Sequence, residues 1–439
     1  MREQGKRFMA AVKKSSGKVR LSAIIMGSGQ FLYGRKAKGL IYFFLQVSII
    51  YYFVTRGVSD LIGFFTLGTT KGDAWLGTKG DDSIIMLLMG IFAWIVLIVF
   101  ILLYRSNLKD AYLSQKLEEV GKPQPRFGEE VAELLDRKFY VTVLAVPVLG
   151  VCVFNILPIV FMILIAFTNY GGDIVPPELV DWVGLANFKK LATLSQFAPT
   201  FVKILEWNLL WAVISTALNY LAGLGLALLL NKECVKGKAI WRAFPILAYA
   251  IPGFITLVAF KFMFSYGGPI NQMIVSSGRT AIGFLDLDAK WTARLIGLLV
   301  NCWISVPSIM LLATGHLSNR DMSLYEAAKI DGASKTQQFV KLTMPFMLFV
   351  TMPVLLGQFI GNFNNFGIFY FLRGGLYVDG YFLASDTDLL INWLYNLSID
   401  NNYYCIGAAI SLIIFLITSA LSLGVYVRSS SYREEDTFQ

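Results

Sequence analysis

At 439 residues, 56% hydrophobic and 14% aromatic, with a mean hydropathy of +0.60, the chain carries more apolar surface than a soluble domain can bury. That composition excludes a soluble globular protein and predicts an all-α polytopic membrane protein. The net charge of +9 would suit a nucleic-acid binder, but the charge clusters at span ends and loops as in a membrane protein. Cys152, Cys234, Cys302 and Cys405 lie far apart with no C-x-x-C spacing, so they indicate neither a disulfide framework nor a zinc site. A single histidine, His316, removes most metal and acid–base constellations.

Residues 1–20 hold seven Lys and Arg, from Arg2 to Arg20, against one acid, Glu3. The apolar piece 21–33 is shorter than the roughly 20 residues a crossing needs, and Gly27, Gly29 and Gly34 break it. A secretory signal would fit the charge pattern, but no small-residue cleavage site closes it. The expectation is a basic cytoplasmic arm over 1–38 with a short interfacial segment, then a first crossing at 39–54. Further apolar runs at 84–104, 139–168, 205–230, 239–264, 292–314, 345–372 and 404–428 bring the number of spans to about eight. The domain plan is three spans within 39–168, a core over 205–428 with a cytoplasmic loop at 315–344, and a tail at 429–439. With the N-terminus inside, 27 of the 38 Lys and Arg fall in cytoplasmic segments, as the positive-inside rule requires. The outer loops are acidic instead, with Asp60, Asp73, Asp81, Asp82, Asp379, Asp386, Asp388 and Asp400.

The span cores lack ionisable side chains; Glu206, Lys261 and Arg294 sit near ends, where they can snorkel. Ion-coupled carriers commonly place Asp, Glu or His inside the membrane, so their absence counts against a self-powered carrier. It also counts against a membrane-embedded enzyme acting on lipid or glycan. The sequence contains no G-x-x-x-x-G-K-[ST] loop, so a pump of this kind would draw its energy from another subunit. Gly223-x-x-x-Ala227 and Gly357-x-x-x-Gly361 are small-residue seams of the type that lets helices approach.

In the seventh run, Gln358, Asn362 and Asn365 recur at i, i+4 and i+7 and predict one polar stripe. Amides in a membrane either bond across helices or face a wet cavity. Three on one face, interleaved with Phe359, Phe363 and Phe366, favour the cavity. Amides donate and accept as sugar hydroxyls do, and aromatic faces pack on a pyranose. With no charge on the stripe, the ligand should be neutral. Asn301, Trp303, Ser305 and Ser308, around Pro307, extend the same chemistry, as do Tyr249, Pro252 and Gly253.

Between the spans at 292–314 and 345–372, 323–345 reads as helix, turn, helix. Ser323 with Glu326 is a capping box, Gly332 can end the helix, Ser334 with Gln337 is a second box, and Pro345 opens the next span. Tyr325, Ile330, Phe339 and Leu342 are candidate apolar anchors for a partner groove.

Glu326-Ala327-Ala328, Gly332, Leu342 and Met344-Pro345 together resemble the E-A-A-x3-G-x9-I-x-L-P signature of ABC-importer permeases, with Leu for Ile and Met for Leu. In that family this loop docks on the cytoplasmic ATPase. The resemblance therefore implies a coupling role for Glu326, Ala327, Ala328, Gly332 and Pro345. From about residue 207 onward the chain is similar to maltose/maltodextrin permeases of the MalF type. The pieces are Tyr249-Ala-Ile-Pro-Gly253, Asn301-Cys-Trp303, Asn362-Phe-Asn-Asn-Phe366 and Thr387-Asp-Leu-Leu-Ile-Asn392. This implies a type I importer core, with Tyr249, Gly253, Asn301, Ser305, Ser308, Asn362 and Asn365 at sugar-contacting positions. Ser305 and Ser308 depart from the family's Gly and aromatic. The short segment 169–204, where some members carry a folded domain, fits a binding protein anchored as a surface lipoprotein. The resulting expectation is a non-enzymatic subunit of the bacterial cell membrane, multi-pass, with both termini cytoplasmic. It would import a neutral oligosaccharide, maltodextrin first, with galacto-oligosaccharides or a secondary sugar carrier as alternatives. Its partners would be a second homologous permease, an ATPase dimer and an extracellular sugar-binding lipoprotein. It would hold no cofactor or metal itself, ATP and magnesium belonging to the ATPase.

Overall fold

The structure is a computed structural model that describes residues 15–72, 79–176, 178–232, 234–319 and 321–428. Among them the only β pairing is two isolated bridges, Thr168–Trp182 and Gly171–Ile174. The chain divides into two units, Met1–Val183 and Gly184–Gln439.

In the first unit, the segment too short to span forms two short helices, α1 (Gly17–Ser22) and α2 (Ser28–Leu32). Asn107 fastens them: its Nδ2 donates to the Ser22 carbonyl (2.9 Å) and its Oδ1 accepts from the Gly27 N–H (2.9 Å). Gly27 has φ +85°, and a Cβ there would run into the Gly39 carbonyl, so only glycine serves the turn. The first crossing, α3, runs from Lys36 to Thr66 and so continues well past residue 54. A π-helical turn at Phe53–Gly57 carries it on, because the next nine residues are again mostly apolar. Asp60 therefore lies in the helix and not in a loop, and the Tyr52 hydroxyl donates to its Oδ2 (3.1 Å). Asp73, expected in the same outer loop, is outside the described residues. Asp82 caps α4 (Ser83–Glu119) by accepting from the Ile84 and Ile85 N–H groups. Its 37 residues make a rod of about 55 Å at roughly 1.5 Å per residue, so its last third leaves the hydrocarbon. There Arg35 reaches Asp110 (3.1 Å), Ser114 (2.8 Å) and Glu130 of α5 (Phe127–Leu135). Lys38 joins the same cluster at 2.9 Å from Asp110. The described part of the expected basic arm, 15–38, is thus a folded element clamped to 105–135 by charge, and residues 1–14 lie outside the described residues. α6 (Phe139–Ile165) completes the unit.

The second unit opens with α7 (Ala186–Thr193) and α8 (Ala198–Asn231). There follow α9 (Lys238–Ala250), α10 (Gly253–Met263), α11 (Pro269–Ser276), α12 (Lys290–Ser318) and α13 (Met322–Ile330). The chain ends with α14 (Lys335–Gln338), α15 (Met344–Phe363), α16 (Gly367–Arg373), α17 (Leu390–Tyr395) and α18 (Tyr404–Arg428). A π-helical turn at Phe339–Thr343 joins α14 to α15. Seven helices among the described residues are long and apolar enough to cross a membrane, or eight spans if the pair α9–α10 is one span bent by 92°. That bend falls at Ile251–Pro252, where Pro252 lacks an N–H and forces Ile251 out of the helical region (ψ 130°).

α8 and α12 form the centre. A Cβ on Gly223 would lie 2.7 Å from the Ile309 side chain, so the first small-residue seam does bring two backbones together. Leu224, Ala227, Met310, Ala313 and Met347 fill the contact below it. The second seam does not pack this way, because Gly357 and Gly361 have open space where a Cβ would be. Nor does Arg294 snorkel. It is buried, with its guanidinium 3.7 Å from the Trp207 ring centre and Nη2 donating to the Asp386 carbonyl (2.6 Å).

Candidate functional site

The open space beside Gly357 and Gly361 is a cavity of about 370 Å³. Gly253, Phe254 and Leu257 of α10 line one side, and Asn301, Ile304 and Ser305 of α12 another. The third side comes from Gln358, Asn362, Asn365, Ile368 and Phe371. Every lining side chain is uncharged. Two interruptions of helix build it: the Pro252 bend puts Gly253, the first residue of α10, at the wall, and the break at 364–366 separates α15 from α16.

The amides are not equally free. Asn362 is buried; its Oδ1 accepts from Asn301 Nδ2 (3.1 Å) and its Nδ2 donates to Thr216 Oγ1 (3.0 Å). The indole N–H of Trp211 donates to its carbonyl (3.0 Å). Cross-helix bonding and cavity lining therefore coincide at this residue. Asn365 stands beyond the end of α15, so the helical stripe stops at Asn362. Asn365 reaches the cavity through the break, donating to Asn301 Oδ1 (3.5 Å) and accepting from the Ile368 N–H (3.3 Å) at the start of α16. Gln358 and Ser305 make no side-chain hydrogen bond among the described residues, leaving an amide and a hydroxyl open to a ligand. Asn364 turns away and lines a separate groove with α18, its Nδ2 donating to the Ile360 carbonyl (3.2 Å).

Gly253, Asn301, Ser305, Gln358, Asn362 and Asn365 are thus brought together. Tyr249, Trp303 and Ser308 are not among the lining residues. Tyr249 is 57% exposed on α9, before the bend. Trp303 turns its edge to Phe260 at 6.2 Å, and Ser308 bonds back to the Ser305 carbonyl (2.8 Å). Sequence reasoning missed Trp211 and Thr216. Both sit on α8 about 150 residues from their partner, and no local pattern marks such a contact.

The Glu326 helix, α13, is capped by Asp321, whose side chain accepts from the Ser323 N–H (2.9 Å). The expected Ser323–Glu326 box does not form, because Asp321 starts the helix two residues earlier. Hydrogen bonding from the Ser323 hydroxyl, and then from its N–H, holds the Asp321 carboxyl below its ordinary range. The Glu326 carboxylate makes no hydrogen bond or ion pair among the described residues. At the other end Gly332 takes φ +78°, with Gly332 N–H bonding Lys329 O (3.2 Å) and Ala333 N–H bonding Ala328 O (2.9 Å), a Schellman stop. The Ser334–Gln337 box forms in both directions. Tyr325 bonds Thr343 (3.0 Å) and Phe339 packs on the α8–α12 core, so these two anchors serve this chain. Met322, Leu324 and Ile330 stay exposed, the last by 86%.

The loop 374–389, which follows α16, holds buried charge. Arg373 Nη1 pairs with Asp386 Oδ1 (2.6 Å), and Trp207 Nε1 donates to the Thr387 carbonyl (3.0 Å). Burial pushes the neighbouring Asp388 carboxyl up to about 7, against the Ser385 N–H, Arg373 and Asn396, which favour its charged form.

A bundle of membrane helices around an uncharged cavity, with a short, partly exposed helix between two spans, fits a translocation subunit. Residues 219–430 match the family described as binding-protein-dependent transport system inner membrane component. The chain is 34% identical over 435 residues to the maltodextrin transport system permease protein MalC of Streptococcus pneumoniae, covering 97% of this chain and 98% of that one. It is 32% identical over 419 residues to the galactooligosaccharides transport system permease protein GanP of Bacillus subtilis, covering 94% and 98%. Among solved structures, that of a bacterial ABC transporter importing the acidic polysaccharide alginate shares the fold, with a TM-score of 0.52 and 20% identity over 67% of this chain and 98% of that one. The chain belongs to the family of ABC-importer permeases: it is the membrane translocation subunit, and the ATPase is a separate partner.

Proposed function

We propose that this permease imports a neutral oligosaccharide, maltodextrin first, through the cavity between α10, α12 and α15. The observation that carries this reading is the cavity's chemistry: amides, a serine and phenylalanines, without a charge. An acidic sugar would need cationic partners there, and a cation would need carboxylates. The nine-tenths overlap with MalC supports maltodextrin. The similarity to GanP keeps galacto-oligosaccharides as the second reading, since the same amides would serve either sugar.

The lysine and arginine bias supports cytoplasmic termini and a cytoplasmic α13, with its Glu326 and its exposed Met322, Leu324 and Ile330. There α13 would seat in the ATPase, the partner that holds ATP and magnesium, with a second homologous permease and an ATPase dimer completing the transporter. The segment 374–403 then faces outward, toward a sugar-binding lipoprotein. Closure of the ATPase dimer would move α13. The π-helical turn at Phe339–Thr343 passes that movement into α15 and the cavity wall.

Titration calorimetry of the cognate binding protein with maltotriose and with a galacto-oligosaccharide tests the sugar. Heat with maltotriose alone is the expected outcome; heat with the galactoside alone would give the second reading.

A further inference from the structure

The break that opens the cavity wall leaves the Phe363 carbonyl without a backbone partner among the described residues and the Asn362 carbonyl with only the Asn365 N–H (3.3 Å), and buried side chains meet both. The Phe363 carbonyl accepts from Asn208 Nδ2 (3.0 Å) and the Asn362 carbonyl from Trp211 Nε1 (3.0 Å), both on α8. The Phe366 carbonyl keeps a long helical bond from the Tyr370 N–H (3.4 Å) and accepts a shorter one from Asn392 Nδ2 (2.8 Å) on α17. Asn208 and Trp211 are fully buried and Asn392 is 3% exposed, so no water competes for these bonds. Asn208 also faces the other way: its Oδ1 accepts from the Leu390 N–H (2.7 Å) at the start of α17. One amide thus bridges the break in the cavity wall and the segment 385–392.

That segment has few other freedoms. Asn392 Oδ1 accepts from the Leu389 N–H (3.1 Å), and Asp388 Oδ2 accepts from Ser385 N–H (2.9 Å) and Asn396 Nδ2 (3.1 Å). A displacement of 385–392 cannot be absorbed locally without breaking buried hydrogen bonds. The Asn208 bridge offers a path into residues 362–366, where Asn362 and Asn365 face the cavity.

We propose that Asn208, Trp211 and Asn392 are positioning residues that aim the cavity amides, and that Asn208 links the outward segment 385–392 to the substrate cavity. This rests on the reading of the cavity as the sugar site. Linkage is reciprocal, so sugar in the cavity must also steady the segment. The test uses the purified whole transporter in nanodiscs, with radiolabelled maltotriose as probe. Trp211→Phe removes one hydrogen bond and keeps the ring on Phe369; maltotriose affinity should fall roughly three- to tenfold at unchanged yield of assembled transporter. In the wild type, saturating maltotriose should slow amide exchange across 385–392. In Asn208→Leu that protection should vanish even at saturation. Asn271→Leu, which strips a buried amide from the 265–282 loop, controls for a merely structural loss and should leave both readouts alone. Should Asn208→Leu fail to assemble, Asn392→Leu serves the exchange measurement, since it cuts the parallel tie to Phe366. Unchanged affinity in Trp211→Phe together with intact protection in Asn208→Leu (or its substitute) overturns the proposal. Absence of maltotriose binding to the wild type would instead overturn the sugar reading, and this proposal with it.

Discussion

Asn362 shows how one residue can satisfy two readings. Its amide is spent on Asn301 and Thr216, so replacing it by alanine strands the buried Asn301 amide and should lower the yield of assembled transporter as well as transport. Asn365→Ala removes the acceptor for the Ile368 N–H as well, a cap worth about 1 kcal/mol. The residue type was legible in the sequence. The partners were not, because a bond from Trp211 to residue 362 has no local signature. Asp388 offers a pH test at the same scale. Its folded carboxyl titrates at about 7, above the ordinary value near 3.9, so between those values the folded segment holds a proton the unfolded chain has released. The stability it lends is complete at low pH and lost as pH rises through 7. Amides of 385–396 should therefore exchange faster at pH 8 than at pH 6 after correction for intrinsic rates, and Asp388→Asn should flatten the difference. Equal protection at both pH values in the wild type would show that the carboxyl is already ionised at pH 6.

Among the elements, α13 was readable almost whole. The glycine at 332 and the second capping box formed as the sequence predicts, and only the start moved, from Ser323 to Asp321. Side-chain caps compete for the same N–H groups, and the earlier aspartate wins. Glu326 is consequently mid-helix and, among the described residues, its carboxylate has no partner at its own helix end. Gly332→Ala should cost about 1 kcal/mol at its left-handed φ and weaken uptake. Gly332→Pro, which cannot reach that φ at all, should abolish uptake while the protein remains inserted at normal level. Near-normal uptake by the proline variant would remove α13 from the coupling path. The helix interruptions were harder to read. Pro252 signals its own bend, but the break at 364–366 looks in sequence like a continuing amide stripe, and the first crossing runs through a π-helical turn that apolar periodicity does not mark.

At the level of the whole molecule, composition was enough for class and number of spans, because bilayer thickness acts on every segment alike, while the charge bias carries the proposed orientation. The N-terminal arm was legible only as basic and short; its clamp onto 105–135 depends on Arg35 meeting Asp110 and Glu130 across about 75 to 95 positions. Orientation has a direct check in a cysteine-free background. Thr70→Cys, Leu185→Cys and Asp379→Cys should label from outside, while Val120→Cys and Ile330→Cys should be protected. Strong outside labelling at 330 would put α13 on the wrong side of the membrane for an ATPase. The central claim, that sugar crosses through the uncharged cavity, is tested most directly at Gln358. It lines the cavity and spends no side-chain bond on the protein, so Gln358→Ala should fold and assemble normally. Maltodextrin uptake by proteoliposomes, measured with the binding protein and ATP and normalised to assembled transporter, should fall roughly three- to tenfold for the loss of one neutral hydrogen bond, and further when Ser305→Ala is added. Uptake per transporter equal to wild type in the double variant would contradict the account.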